Sequence, residues 1–139
     1  MKVLYTATAT ASGGREGRVH SSDGVLDLEL SMPKELGGSG RAATNPEQLF
    51  AAGYAACFEN ALQRAGREAK TPIEGTEVTA EVGIGRKEDT RFALTVALTV
   101  KIPNLERAQA EKLMNRAHEE ICPYSNATRG NIEVSVTLA

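Results

Sequence analysis

The chain has 139 residues, with 16 Lys+Arg against 18 Asp+Glu and a formal net charge of −2 at pH 7. That length fits a single domain over residues 1–139 with a sizeable core, and the near-neutral balance leaves no electrostatic footprint for nucleic acid or an anionic membrane. No run of ~18 apolar residues is present and Met1 to Thr6 lacks the apolar stretch of a secretory signal, so the sequence predicts a soluble cytoplasmic protein.

Val3 to Thr10 alternates Val3, Tyr5, Ala7 and Ala9 against Leu4, Thr6, Thr8 and Thr10, a strand pattern. A glycine-rich loop, Ser12 to Gly17, follows. Arg18 to Ser22 and Val25 to Ser31 then flank Asp23-Gly24, a hairpin signal. Pro33 to Thr44 reads as an irregular loop. A helix starts behind it, with Asn45 as N-cap, Pro46 in the first helical position and Gln48 in the third. Thr44-x-x-Glu47 is a competing capping box one residue earlier. The helix is predicted to run to about Ala65 and stop at Gly66. From Leu49 to Phe58 it is apolar or small on every side, which predicts burial within the molecule or between molecules.

Glu77 to Ile84 and Phe92 to Ile102 read as two strands around a charged turn, Arg86 to Asp89. A second helix is predicted from about Glu106 to Ile121, with Ala110, Leu113, Met114, Ala117 and Ile121 on its apolar face. Pro123 ends it, Arg129-Gly130-Asn131 turns, and Ile132 to Leu138 is the last strand. The order βββαββαβ, with antiparallel sheets and two main helices, predicts an α+β fold.

The sequence contains two cysteines, Cys57 and Cys122. Without secretion they should not form a permanent bridge, and two lone thiols outside a C-x-x-C pair do not make a structural zinc site. No tryptophan and only three Phe and three Tyr argue against an aromatic platform for single-stranded nucleic acid. Cys57 lies about three turns into the first helix, where burial would raise its pKa. At an ordinary pKa of ~8.5 only about 3% is thiolate at pH 7. A cation ~4 Å away offers roughly 4 kcal/mol at an effective dielectric of ~20, and Arg15 or Arg18 is the natural source. Cys122 is expected at the C-terminal end of its helix, more accessible than Cys57 but with the dipole opposing a thiolate.

Glu47 could hold the arginine, but ten helical residues, about 15 Å along the axis, separate it from Cys57. One guanidinium is not expected to reach both on one helix. An interlocked dimer whose sites are shared between subunits would resolve that geometry.

Two long segments carry a family resemblance. Thr44-Asn45-Pro46-Glu47-Gln48-Leu49-Phe50-Ala51-Ala52-Gly53-Tyr54-Ala55-Ala56-Cys57-Phe58 and Ile121-Cys122-Pro123-Tyr124-Ser125-Asn126-Ala127-Thr128-Arg129-Gly130-Asn131-Ile132 closely resemble organic hydroperoxide resistance proteins, the Ohr branch of the Ohr/OsmC superfamily. Leu4 to Ala7, Gly13-Gly14-Arg15, Pro33 to Gly38 and Val82 to Gly85 also fit. The resemblance implies an intertwined homodimer and a thiol peroxidase that reduces alkyl and fatty-acid hydroperoxides in antioxidant defence. It makes Cys57 the peroxidatic cysteine, Cys122 the resolving one, and Arg15 with Glu47 the activating pair; Arg18 becomes a surface strand residue. It further implies no metal or prosthetic group, and re-reduction by lipoylated proteins or another dithiol.

The chain departs from the family pattern at Glu16, at Arg41-Ala42-Ala43, and at Glu59-Asn60, the last of which could alter the polarity of the pocket one turn past Cys57. Apolar walls for the substrate are expected from Phe50, Phe58, Met32, Leu36 and Phe92. His118 and His20 are expected at solvated positions, and Asn126 and Thr128 are expected to build the loop after Cys122. An apolar-ligand binding protein whose thiols sense oxidation without turnover is the rival reading from another class.

Overall fold

The computed structural model describes residues 1–139 and divides into two compact units, Met1–Leu49 and Phe50–Ala139. The first carries a three-stranded antiparallel sheet in the order β1 (Ala9–Ser12), β2 (Arg18–Ser21), β3 (Asp27–Glu29). Ala9 pairs with Ser21 and Val19 with Leu28. The expected strand at Val3 to Thr10 is displaced: it covers Ala9–Ser12, and Val3, Leu4 and Tyr5 stand exposed, Leu4 at 89%. Alternation marks a segment suited to a sheet, but β1 pairs only with β2, and that pairing ends at Ala9.

The turn between β1 and β2 is tight. A Cβ on Gly17 would fall 1.7 Å from the Ser12 carbonyl oxygen, and Gly13 has φ +74°, so glycine is required at both corners. After β3, Leu30 bridges Thr44, and the Ser31 N–H donates to the Thr44 carbonyl at 2.9 Å. This anchors the residues that open α1 (Pro46–Glu68). The Gln48 N–H donates to Asn45 Oδ1 at 2.9 Å, so Asn45 is the cap. Thr44 instead bonds the Gln48 side chain.

In the second unit α1 buries Tyr54, Phe58, Ala61, Leu62, Ala65 and Gly66, while Ala52, Ala56 and Asn60 are exposed. Tyr54, Phe58 and Leu62 follow a four-residue spacing, and the last two each contribute about 1.5–3 kcal/mol by burial. The helix continues through Gly66 to Glu68, beyond the expected stop. Gly66 is a close-approach glycine rather than a C-cap: a Cβ there would lie 2.9 Å from the Thr71 carbonyl oxygen and 3.1 Å from Ile73 Cγ1. Lys70, with φ 54°, makes the left-handed turn that follows the helix.

β4 (Glu77–Arg86) and β5 (Phe92–Lys101) form a long antiparallel pair, with Val82 opposite Val96 and Val78 opposite Val100. Alternate residues Val96, Leu98 and Val100 enter the core. β6 (Val134–Leu138) joins the other edge of β5 in parallel, Val96 opposite Val134, so the sheet is mixed where antiparallel pairing was expected throughout. The helical crossover between them returns the chain to the end from which β5 began, which is what a parallel pair needs. The crossover is not one helix: α2 spans Arg107–Arg116, a π turn covers Ala117–Ile121, and α3 spans Pro123–Thr128. The order βββαββαβ of an α+β protein otherwise stands, with α3 added.

Candidate active site

Each unit assembles one pair of the predicted residues. In the first, Arg15 sits in a single 3-10 turn, Gly14–Glu16, at the corner set by Gly13 and Gly17. Its guanidinium grips Glu47 with both nitrogens, Nη1 to Oε2 at 2.7 Å and Nη2 to Oε1 at 2.6 Å. Both side chains are largely shielded. A bidentate, charge-assisted fork fixes the plane of the guanidinium as well as its position. The Arg15 hydrogen bond holds the Glu47 carboxyl below the usual carboxylate range. Glu16 anchors the same turn by accepting the Met32 N–H at 2.9 Å, which gives this departure from the family pattern a structural role. Arg18 is exposed and paired with Asp27 and Glu29, a surface strand residue as expected.

In the second unit Cys57 and Cys122 meet. Their Sγ atoms lie 3.6 Å apart and both thiols are free. Burial is the reverse of expectation: Cys122 is fully enclosed, whereas Cys57 is only half-buried. The physical cause is the broken crossover. Cys122 lies between the π turn and α3, with its N–H donating to the Ala117 carbonyl at 2.8 Å, so it caps a new helix inside the core instead of fraying into solvent. Burial pushes the Cys57 thiol up, and the Tyr124 backbone N–H pulls the other way. A buried thiol with a raised pKa is a poor nucleophile at neutral pH unless a positive charge faces it.

The expected wall residues occupy diverse positions. Phe50 is half-buried in an aromatic cluster, its ring 6.0 Å from those of Tyr54 and Tyr124. Phe58 is entirely within the core. Phe92 begins β5 and is 62% exposed, with the Arg86 guanidinium 4.7 Å above its ring. Met32 and Leu36 are half-buried in the first unit, on either side of Pro33. Glu59 turns to Thr76 and Gln63, satisfying its carboxylate in hydrogen bonds to those side chains. That locates the Glu59 departure in a tie between α1 and the loop before β4.

His118 corrects the expectation of a solvated position. It is half-buried, its Nδ1 is 2.9 Å from Ser125 Oγ, and burial pushes its pKa down. Thr128 corrects the expectation of a loop, since it closes α3 and is buried. His20 is exposed as expected. Tyr54 and Tyr124 were not among the predicted site residues. The signal for Tyr54 was available in the four-residue spacing Phe50, Tyr54, Phe58; that for Tyr124 was not, because its neighbour Gly53 lies 71 residues away in the chain. A Cβ on Gly53 would come within 3.0 Å of the Tyr124 hydroxyl, so the glycine makes room for the ring. No group of three or more His, Cys, Asp or Glu side chains is placed to hold a metal ion. No helix is long and apolar enough to cross a membrane.

The sequence profile of the family described as OsmC-like protein matches residues 37–137. The chain belongs to the OsmC-like family. Within that family it is 52% identical to an organic hydroperoxide resistance protein of Xanthomonas axonopodis pv. citri (strain 306), over 99% of this chain and 96% of that protein. It is 50% identical to the organic hydroperoxide resistance protein OhrA of Bacillus subtilis (strain 168), over 98% and 96%. Among OsmC-like crystal structures, that of an organic hydroperoxide resistance protein from Legionella pneumophila superposes with a TM-score of 0.94 at 50% identity, covering 99% of both chains. OhrB of Bacillus subtilis superposes with a TM-score of 0.91 at 46% identity, covering 99% of this chain and 100% of that one.

Proposed function

We propose that this protein is a thiol peroxidase that defends against oxidative stress by reducing organic hydroperoxides, alkyl and fatty-acid, to alcohols. The observation that carries the reading is the Cys57–Cys122 pair, with sulfurs 3.6 Å apart and unbonded. The relatives named organic hydroperoxide resistance proteins supply the substrate class.

In the proposed reaction the Cys57 thiolate attacks the terminal peroxide oxygen. The O–O bond breaks, an alkoxide leaves and takes a proton to become the alcohol, and Cys57 becomes a sulfenic acid. Arg15 has the role of counter-ion, favouring the thiolate and stabilising the charge that moves onto the leaving oxygen. Glu47 orients the guanidinium through the bidentate pair. Cys122 then displaces hydroxide from the sulfenic sulfur, giving water and a Cys57–Cys122 disulfide. A dithiol, with lipoylated proteins as the proposed source, restores both thiols by exchange. All electrons come from thiols, so the scheme needs no resident cofactor. The proposed location is the cytoplasm, a reducing compartment in which thiols are kept reduced between turnovers.

The functional unit proposed is an intertwined homodimer. Glu47 precedes Cys57 by ten residues on one continuous helix, about 15 Å along its axis, so an Arg15–Glu47 pair is proposed to serve the thiols of a second copy. The exposed apolar residues Val3, Leu4, Tyr5, Val25, Leu26 and Leu28 of the first unit give that partner something to cover. Substrate choice is proposed to come from apolar walls including Phe50, Met32 and Leu36, where each buried methylene contributes about 0.8 kcal/mol.

The decisive experiment is hydroperoxide consumption with dihydrolipoamide as reductant, comparing linoleic acid hydroperoxide, cumene hydroperoxide and hydrogen peroxide. Catalytic turnover with preference for the organic substrates is expected. Stoichiometric thiol oxidation without turnover would make the protein a sensor and end the peroxidase reading. A monomer by sedimentation at micromolar concentration, fully active, would remove the dimer.

A further inference from the structure

We infer that four hydrogen-bonded polar side chains, the buried Tyr54, Ser125 and Thr128 and the half-buried His118, form a positioning clamp that holds Cys122 in reach of Cys57. The clamp thereby governs how fast oxidised Cys57 is resolved. This inference rests on the peroxidase reading above and concerns its second step, in which the Cys122 thiol loses its proton, the Cys57 S–O bond breaks, an S–S bond forms, and water leaves.

The Tyr54 hydroxyl lies 3.0 Å from Ser125 Oγ and 3.2 Å from Thr128 Oγ1. His118 Nδ1 lies 2.9 Å from the same Ser125 oxygen, and Thr128 Oγ1 donates to the Tyr124 carbonyl at 3.0 Å. Tyr54, Ser125 and Thr128 are all buried. Polar groups removed from water are disfavoured unless bonded, and every one here has a partner.

The placement of these residues relative to the cysteines gives the clamp its role. Tyr54 stands three residues before Cys57 on α1. On the other side Ser125 stands three residues after Cys122, and His118 four before it. The bonds therefore tie the carrier of one thiol to the segments on both sides of the other. Backbone hydrogen bonds hold Cys122 locally, its N–H to the Ala117 carbonyl at 2.8 Å and its carbonyl to the Asn126 N–H at 3.0 Å, but its φ −68° and ψ 116° interrupt the helix between the π turn and α3. The clamp adds side-chain contacts across that break. Arg129 Nη2 donates to the His118 carbonyl at 2.7 Å and closes the turn from outside. Burial lowers the His118 pKa, which favours the neutral imidazole in its contact with Ser125.

The test uses the full chain, reduced and then mixed with one equivalent of cumene hydroperoxide. Sulfenic acid is trapped with dimedone, disulfide is followed by loss of free thiols, and sulfinic acid by intact mass. Tyr54→Phe keeps the ring and loses only the hydroxyl; Ser125→Ala removes the shared oxygen. Both variants are expected to form sulfenic acid within about two-fold of the wild-type rate. Disulfide formation is expected to slow by about ten- to a hundred-fold, the scale of an ångström-level misplacement of reacting groups, and sulfinic acid to accumulate. His118→Asn, which can return an amide group to the Nδ1 position, is expected to retain more of the rate than His118→Leu.

Leu98→Val, a core substitution on β5, serves as the control for stability. Disulfide formation at the wild-type rate in both hydroxyl variants would overturn the inference, as would an equal slowing in Leu98→Val at matched loss of stability. If Ser125→Ala fails to fold, Tyr54→Phe decides. If the wild-type protein consumes no hydroperoxide, the peroxidase reading has failed instead. The clamp is then judged by diamide, which takes two electrons and two protons from the two thiols: unchanged diamide-driven disulfide formation in Tyr54→Phe would overturn it.

Discussion

Cys57 and Cys122 place their sulfurs 3.6 Å apart across 65 residues of sequence, one on a continuous helix and the other at the break between two helices. A disulfide has an S–S distance of ~2.05 Å, so the two sulfurs must approach by about 1.5 Å to be joined. The asymmetry of the pair is also informative. On the proposed peroxidase reading, Cys57, the less buried, is the thiol a peroxide should reach, and Cys122, enclosed, should be shielded from direct oxidation.

From that asymmetry follows a division of labour between the thiols. Cys57→Ser should abolish hydroperoxide consumption. Cys122→Ser should permit one turnover per site and then stall with a sulfenic acid that dimedone traps, read by intact mass. Sustained dihydrolipoamide-dependent turnover in Cys122→Ser would remove the resolving role.

Arg15 should be the charge that makes Cys57 reactive. Burial, with the neighbouring Cys122 adding to it, raises that thiol, so Arg15→Ala should shift the pH profile of iodoacetamide alkylation to more alkaline values and lower peroxide reduction by at least about a hundred-fold. Arg15→Lys should recover only part of this, because a lysine cannot present two parallel donors to Glu47. An unchanged alkylation profile in Arg15→Ala would take arginine out of the mechanism.

The Arg15–Glu47 pair also makes a prediction in pH. Arg15 depresses the folded-state pKa of Glu47. Its stabilising contribution is therefore fully present above the unfolded carboxylate value of about 4.3 and is lost as pH falls through the lower folded value. The stability difference between wild type and Glu47→Gln in urea should be largest near neutrality and shrink in acid. A difference that does not vary with pH would assign the effect to packing instead of charge.

Gly66→Ala should destabilise, against the ordinary preference of helices for alanine. The propensity gain is about 1 kcal/mol, but the added Cβ would meet the Thr71 carbonyl oxygen at 2.9 Å and Ile73 Cγ1 at 3.1 Å. Overpacking of this kind costs about 1–3 kcal/mol. A lower urea midpoint is the expected result; a higher one would show that the loop after α1 yields freely.

The chain's local signals were legible wherever a rule acts over a few residues. Asn45 capping Pro46, the Asp23-Gly24 hairpin and the alternation of Leu94 to Val100 each depend on neighbours close in sequence, and the structure has all three. Signals that depend on distant partners were misread. Gly66 looked like a helix stop because the sequence does not display Thr71 and Ile73 folding back on it. His118 looked solvated because Ser125 and Phe58 face it only once the crossover has closed. Pro123 was read as an ending, although in the structure it is the first residue of α3.

By itself, then, the amino-acid sequence determined the α+β order of elements, the two thiols, the arginine in its glycine loop and the family, because propensity, turn chemistry and motif spacing are local properties. Only the tertiary structure decided that Cys122 is the enclosed thiol, that Glu47 grips Arg15 with both oxygens, that β6 runs parallel to β5, and that Tyr54, Ser125, Thr128 and His118 meet in one hydrogen-bonded cluster. Each of these depends on residues brought together from far along the chain by packing of the core, and no rule of local periodicity encodes which distant side chains will meet.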